Sequence, residues 1–541
     1  MQVLRSSWKT RVAGLPWHSK PHRFFTWFLA ACLAVYVTYA AFISGSGLFV
    51  SAADTAATLL WAVGLILLAF FALGWFMHTR GAKPFAATRK RLRLAVFALG
   101  TAVPLAILGV YLLAAYPGGV TVDSAVQWTQ AGTGTYINWH PVFHTLLLRL
   151  SQAISPSYPF AVMAQCVLFS IGLGYLLATL AAWGLRPLWL FLAAGITVAS
   201  PIVGNTMMYL WKDNAMTIGV VVLLAQAVNL YLSRGEWLRR RRNAIAYGLT
   251  LAFTTLVRHN ALLFTVPLLL VTLFTCHRQL WQGLISMLVM LGVLALVLGP
   301  LYSALRVVYS QNGMEEAIGL PMTVISNIRK QNPSALDAET RAFTDQMAGE
   351  AGWEAYQLDN YNSIKFGATR ALIARTPLSQ VLRMAANAAK ADPRTAFLAV
   401  NGVTDLVWGL ANEGAANVQV RNSGHLPSVA AASGRRNAVG TALKALIQAP
   451  LKLNVLAWYY GNLGVSFLGL MVCALRALRR NGTRVLLLCL PVLLYNLGTM
   501  LVLCGEDARF FAFSPLLCTL SLFVLTRDAA SSPDIQREKA A

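Results

Sequence analysis

The sequence predicts an all-α polytopic membrane protein, and two observations carry that prediction. Apolar runs close to the ~20 residues that span a bilayer recur along the chain. The whole is 57% hydrophobic and only 12% charged, about half the charge fraction of a soluble protein. A transmembrane barrel would need short alternating segments, which are absent. The net charge of +24 does not mark a nucleic-acid partner, because the lysines and arginines fall in short clusters between apolar runs, as topology determinants do. Seven cysteines lie in or beside apolar runs and none in the long polar segment. No disulfide framework or cysteine-based metal site is visible.

The elements follow in order. Arg5, Lys9, Arg11, Lys20 and Arg23 precede an apolar run at 24–43, too long for a signal-peptide core and read as a retained first span with a cytoplasmic N-terminus. A second run at 56–77 returns to a basic loop from Arg80 to Arg93, closing an N-terminal unit of residues 1–93. The membrane core is expected at 94–305. Its first run, 94–115, leads outward to a polar loop at 116–144, within an outer region 116–159. Residues 142–154 are apolar but short, and read as a helix along the interface. Runs at 160–182, up to Trp211, 215–232, 244–257, 261–275 and 284–305 then alternate. Basic turns at Arg186, Arg239 to Arg242 and Arg278 mark the inner side.

Residues 306–450 are far too long for an ordinary connection and are expected to form a mainly helical extracytoplasmic segment. Runs at 455–475, 485–504 and 511–525 lie within a C-terminal membrane unit, 451–527, and a cytoplasmic tail takes up 528–541. The expectation is about twelve transmembrane helices with both ends inside. No internal repeat is evident, which weakens a transporter reading.

With orientation set by basic loops alone, every unusual polar cluster falls on the outer face. Asp123 is the only acid between Asp54 and Asp213. Around it stand Ser124, Gln127, Trp128, Gln130, Tyr136, Asn138, Trp139, His140 and His144, hydrogen-bonding and aromatic groups of the kind that hold sugars. The other clusters are Lys212-Asp213, Arg258-His259-Asn260 and Glu506-Asp507-Ala508-Arg509. Each has an ordinary counterpart: turn chemistry at Pro117-Gly118-Gly119, helix capping at Asp213-Asn214, a self-neutralising turn at 506–509. A charge such as Arg258 amid apolar sequence is costly unless paired or wetted. His140 and His144 are four apart, but Pro141 argues against a helical zinc pair. Walker, nucleophile-elbow and dinucleotide patterns are absent. What remains is a carboxylate able to take a proton from a hydroxyl, and cations able to stabilise a departing phosphate.

Asp123, Lys212-Asp213 and Asp507-Ala508-Arg509-Phe510, with Pro515 beyond, resemble the pattern of the GT-C superfamily of integral-membrane glycosyltransferases. A closer likeness is to a bacterial GT-C-like family of unknown function. It rests on Asp123-Ser124-x-x-Gln127, His140-Pro141, Lys212-Asp213, Arg258-x-Asn260, Glu316-x-x-Gly319-x-Pro321, Tyr361-x-x-x-Lys365 and the Asp-x-Arg end, and covers roughly 94–525. Many relatives carry paired acids at the first site, whereas here Ser124 follows Asp123.

The resemblance implies a GT-C-like bundle and an inverting glycosyltransferase at the outer face of a bacterial cytoplasmic membrane. The donor would be a polyprenyl-phosphate-linked sugar; the acceptor would be an envelope glycan, a lipid or a protein; the surroundings would be membrane lipid, with no nucleic acid. Asp123 would be the general base, and Asp213 would position the donor. Arg258, Lys212 and Arg509 would neutralise phosphate. Gln127, Trp128, His140, Asn260, Glu506 and Asp507 complete the expected substrate-binding set, and Trp353, Tyr356 and Tyr361 are expected sugar contacts. A divalent cation, magnesium or manganese, would fall to Asp123 and Asp213. Two alternatives use similar cations: an O-antigen polymerase or ligase, and a lipid-linked saccharide transporter.

Overall fold

The computed structural model describes residues 90–309, 314–366, 368–410, 438–505 and 507–526, with scattered positions elsewhere. The expected spans at 24–43 and 56–77 lie almost entirely outside the described residues, as do Glu506 and the tail 528–541. Among the described residues the regular structure is helical, apart from two isolated bridges, Gly119 with Tyr209 and Ile137 with Val308.

The core opens with α1 (Lys90–Ala114), α2 (Val122–Thr133), α3 (Val142–Ile154) and α4 (Tyr158–Ala182). It continues with α5 (Pro187–Val198), α6 (Pro201–Thr206), α7 (Lys212–Leu232), α8 (Arg241–Val257), α9 (Leu262–Thr275) and α10 (Leu280–Leu296). Six stretches are long and apolar enough to cross a membrane: Arg91–Ala114, Tyr158–Ala182, Lys212–Leu232, His277–Ala304, Gly482–Met500 and Ala508–Leu525. A pair bent by 78°, Asn454–Gly461 with Leu463–Leu478, makes a seventh among the described residues. The chain is a multi-pass helical membrane protein.

Of the twelve expected spans ten fall on the described residues, where six or seven helices are long and apolar enough, for local reasons. The run ending at Trp211 is split, because Pro201 opens a new helix directly after Ser200. Helix α8 begins with Arg241 and Arg242, and α9 is only 14 residues long with Pro267 inside it. Helix α7 lies at the centre, with 83% of its most apolar window buried. Helices α1 and α4 cross closely through Gly100 and Gly174; a Cβ on Gly174 would run into Thr101 Oγ1.

The two ends of the bundle differ in chemistry. At one end α7 stops at Leu232, and Arg234, Arg278 and Arg484 come within electrostatic reach of one another. Asn481 Nδ2 donates to Tyr231 Oη at 2.6 Å there, and Gln279 Nε2 donates to Glu236 Oε1 at 2.8 Å. At the other end lie the start of α2, the start of α7, the α8–α9 turn and the turn before the last helix. If the membrane lies between these ends, reporters inserted at Gly349, which has open space around it, and at Arg240 should read opposite faces. Reporter fusions giving the same face at both positions would overturn this arrangement.

Residues 314–408 form a helical unit with its own core. Helix α11 (Gly319–Gln331) packs on α12 (Leu378–Ala391) and α13 (Pro393–Trp408). The apolar side chains beneath include Met322, Ile325, Phe343, Trp353, Tyr356 and Tyr361. Helix α13 then meets α14 (Leu463–Asn481), which is followed by α15 (Leu486–Met500) and α16 (Ser514–Leu525). Val403, Leu406, Val407, Leu463, Leu503 and Phe511 bury one another where the unit joins the bundle.

Candidate functional site

The expected polar loop at 116–144 contains a helix. Thr121 and Ser124 form a reciprocal cap: Thr121 N donates to Ser124 Oγ at 2.9 Å, and Ser124 N donates to Thr121 Oγ1. Gly134, at φ 74°, ends the helix. Asp123 therefore sits in the first turn of α2, where the helix dipole favours a negative charge. Its side chain is 30% exposed.

The cation that meets it comes from 386 residues away in the chain. Arg509 Nη1 donates to Asp123 Oδ2 at 3.0 Å. Arg509 stands on the turn Ala508–Phe511, capped by Asp507, whose Oδ1 accepts from Arg509 N at 3.0 Å. Arg509 Nε lies 2.7 Å from Asp507 Oδ2. The guanidinium is stacked between Trp211, 5.2 Å away, and Phe510, 4.7 Å away. Trp211 is itself fixed, lying flat on Tyr209 at 4.1 Å and donating through Nε1 to Thr121 Oγ1 at 2.9 Å.

His140 and Lys212 complete the group. His140 Nε2 is 3.9 Å from Asp123 Oδ1, and Nδ1 is 3.0 Å from Lys212 Nζ. An ammonium can only donate, so His140 Nδ1 accepts and Nε2 carries the ring proton toward Asp123. Burial and the neighbouring Lys212 hold His140 well below its ordinary pKa, hence neutral. Burial pushes the Asp123 carboxyl up, but Arg509 and Lys212 outweigh it and leave the group ionised below the usual carboxylate range. Among the described residues no carboxylate lies within ion-pair distance of Lys212.

Other expected site residues have structural partners. Arg258 and Asp213 form an ion pair, each with a side chain only 5% exposed. The Arg258 guanidinium lies over Tyr495 and Phe510, at 5.4 and 4.9 Å. The structure thus places these two charges, expected to grip and position the donor, against each other inside the protein. Gln127 is buried, its Oε1 accepting from His144 Nδ1 at 2.8 Å and its Nε2 donating to Asp123 O at 3.3 Å, so it pins α2 to α3. Trp128 packs edge-on against Tyr158 at 5.2 Å. Asn260 is half-buried in the turn after Arg258.

The expected sugar contacts Trp353, Tyr356 and Tyr361 are all buried in the core of the 314–408 unit. Trp353 Nε1 donates to Thr344 O at 3.1 Å, and Tyr356 Oη donates to Asn327 Oδ1 at 2.8 Å. The two acids expected to share a divalent cation are each paired with an arginine. Asp123 is held by Arg509, Asp213 by Arg258, and no group of three or more His, Cys, Asp or Glu suited to a metal occurs among the described residues.

One acid near the site had carried no role. Glu316 is near enough for its charge to act on both Lys212 and Arg509, and it accepts from Lys365 Nζ at 2.7 Å. Both residues stood in the sequence patterns Glu316-x-x-Gly319 and Tyr361-x-x-x-Lys365, but nothing there told which acid of Glu315-Glu316 faces the site.

A family model described as a family of unknown function (DUF6020) matches residues 133–349. That stretch holds His140, Lys212, Asp213, Arg258 and Glu316, but neither Asp123 nor Arg509. No curated protein and no solved structure matches the chain.

Proposed function

We propose that this protein is an inverting glycosyltransferase of the GT-C type, moving a sugar from a polyprenyl-phosphate donor to an envelope glycan, lipid or protein. The setting is the outer face of a bacterial cytoplasmic membrane. What carries the reading is a half-open, ionised carboxylate at one end of an apolar helix bundle, with Arg509 and Lys212 beside it. An apolar bundle suits a lipid tail, and two cations at its end suit the phosphate that the tail bears.

In this reading Asp123 takes the proton of the acceptor hydroxyl as its oxygen attacks the anomeric carbon. The bond from that carbon to the phosphate oxygen breaks, and its electron pair leaves with the polyprenyl phosphate. Attack from the face opposite the leaving group inverts the anomeric centre. Arg509 and Lys212 stabilise the charge that grows on the leaving phosphate. Arg509 has a second role. In the resting site it holds Asp123 as a weak base; an arriving phosphate competes for the guanidinium, and the carboxylate that it releases becomes more basic. Donor binding thus arms the base.

Mass spectrometry of envelope glycans from cells with and without the protein tests the reading. Loss of one sugar substituent is expected, and an unchanged glycan profile would overturn it. The role of Arg509 has its own test. Arg509→Lys retains charge but cannot grip two oxygens at once, so polyprenyl-phosphate binding in nanodiscs should weaken by about tenfold or more. Wild-type affinity in that variant would remove Arg509 from the phosphate site.

A further inference from the structure

The pair of acids at the start of the 314–408 unit is asymmetric. Glu315 is buried, with a side chain 2% exposed, and pairs with Arg370 at 2.6 Å. Arg370 in turn lies over Trp139, 5.2 Å away, tying the unit to the α2–α3 connection. Glu316 reverses the pattern. Its partner Lys365 is the buried member, 5% exposed, while the carboxylate itself stays 46% exposed. An ion pair that serves only packing gains little from burying the ammonium and leaving the carboxylate open, since desolvating the lysine is the costly part. The arrangement instead resembles a backed ligand: a buried cation holds one oxygen and directs the rest of the group outward.

Glu316 is also held firmly relative to Arg509. Cys504 Sγ lies 3.5 Å from Glu316 Oε2 and 3.9 Å from the carbonyl oxygens of Glu315 and Glu316. Three residues on, Gly319 rests directly on the Leu503 backbone, where any Cβ would collide with the carbonyl. The turn carrying Glu316 and the start of α11 are thereby held against Leu503 and Cys504, shortly before Arg509 in the chain.

We infer that Glu316 binds hydroxyl groups of the donor sugar. This rests on the glycosyl-transfer reading. A carboxylate repels the donor phosphate, so what it recognises must be neutral and hydrogen-donating. It stands within electrostatic reach of both phosphate-site cations. The nearest such group on the donor is the sugar attached to that same phosphate. Two carboxylate oxygens accept from neighbouring hydroxyls, and a site built to bond a hydroxyl discriminates strongly against a ligand lacking it.

The test measures binding of a polyprenyl monophosphate and of its hexosyl and pentosyl esters, in both anomers, to the full-length protein in nanodiscs. The wild type should bind one of the sugar-bearing lipids more tightly than the bare phosphate. Glu316→Gln keeps shape and an acceptor for Lys365, and it should lose about tenfold or more of that affinity while bare-phosphate binding stays level or rises. Bare-phosphate binding also reports a folded site; should Glu316→Gln fail to fold, Glu316→Asp keeps the charge pair and should lose sugar preference through its shorter reach. Unchanged sugar preference in the variant would overturn the inference alone, and so would equal weakening for bare and sugar-bearing lipids. A wild type that binds no polyprenyl phosphate at all would overturn the glycosyl-transfer reading itself.

Discussion

An Asp123→Asn variant is expected to fold normally and to lose glycosyl transfer by ~10²–10⁴-fold, the range for removal of a general base. The geometry explains why folding should survive. The amide oxygen can still accept from Arg509 Nη1, Arg509 keeps its contact with Asp507, and the Thr121–Ser124 cap does not involve the Asp123 side chain. The same geometry separates loss of the base from loss of the donor site. With no negative charge at 123, less holds Arg509 back from phosphate, so polyprenyl-phosphate affinity should hold or improve while turnover collapses. Transfer rates and lipid binding measured on one purified sample decide it. Near-wild-type turnover would end the role given to Asp123, and a matching fall in lipid affinity would make it a binding residue.

The second large effect concerns folding. Arg258→Met leaves Asp213 charged and unpaired in a buried position, which costs ~3–5 kcal/mol. Set against the ~5–15 kcal/mol that typically separates folded from unfolded protein, that should sharply reduce folded yield. The double variant Arg258→Met with Asp213→Asn removes both charges and should recover much of the yield. Arg258→Lys should fall between, keeping the charge but losing the flat contact with Tyr495 and Phe510. Size-exclusion profiles and thermal unfolding in detergent read all three. A single Arg258→Met variant that folds as well as wild type but fails to bind polyprenyl phosphate would return Arg258 to the donor site.

The sequence made some of this legible and hid the rest for identifiable reasons. Hydropathy reveals a membrane protein because a chain that crosses lipid without closing a barrel must do so as long apolar helices, and the basic turns separate the two ends. The grouping of Asp123, His140, Lys212, Asp507 and Arg509 follows from which ends they occupy. Which arginine is open does not. Arg258 and Arg509 look alike in sequence, and only packing shows that one faces Asp213 in the interior while the other bridges two partly exposed acids. Helix α2 was hidden because it is short and polar, its signal being the Thr121–Ser124 cap rather than a hydrophobic period. Trp353, Tyr356 and Tyr361 were misread because aromatics suit a small helical core as well as a sugar platform.

The distance along the chain between Asp123 and Arg509 bears on how the protein is made. Synthesis delivers the N-terminal part first. The α2 turn, Lys212 and the whole 314–408 unit therefore exist before residue 509 leaves the ribosome. Until then Asp123 has no guanidinium, Phe510 has not closed over Arg258, and the apolar junction lacks Phe511. The turn that carries Arg509 is thus the keystone of the site. A chain that stops short of residue 509 holds the α2 turn, Lys212 and the 314–408 unit yet lacks the residue that joins them chemically.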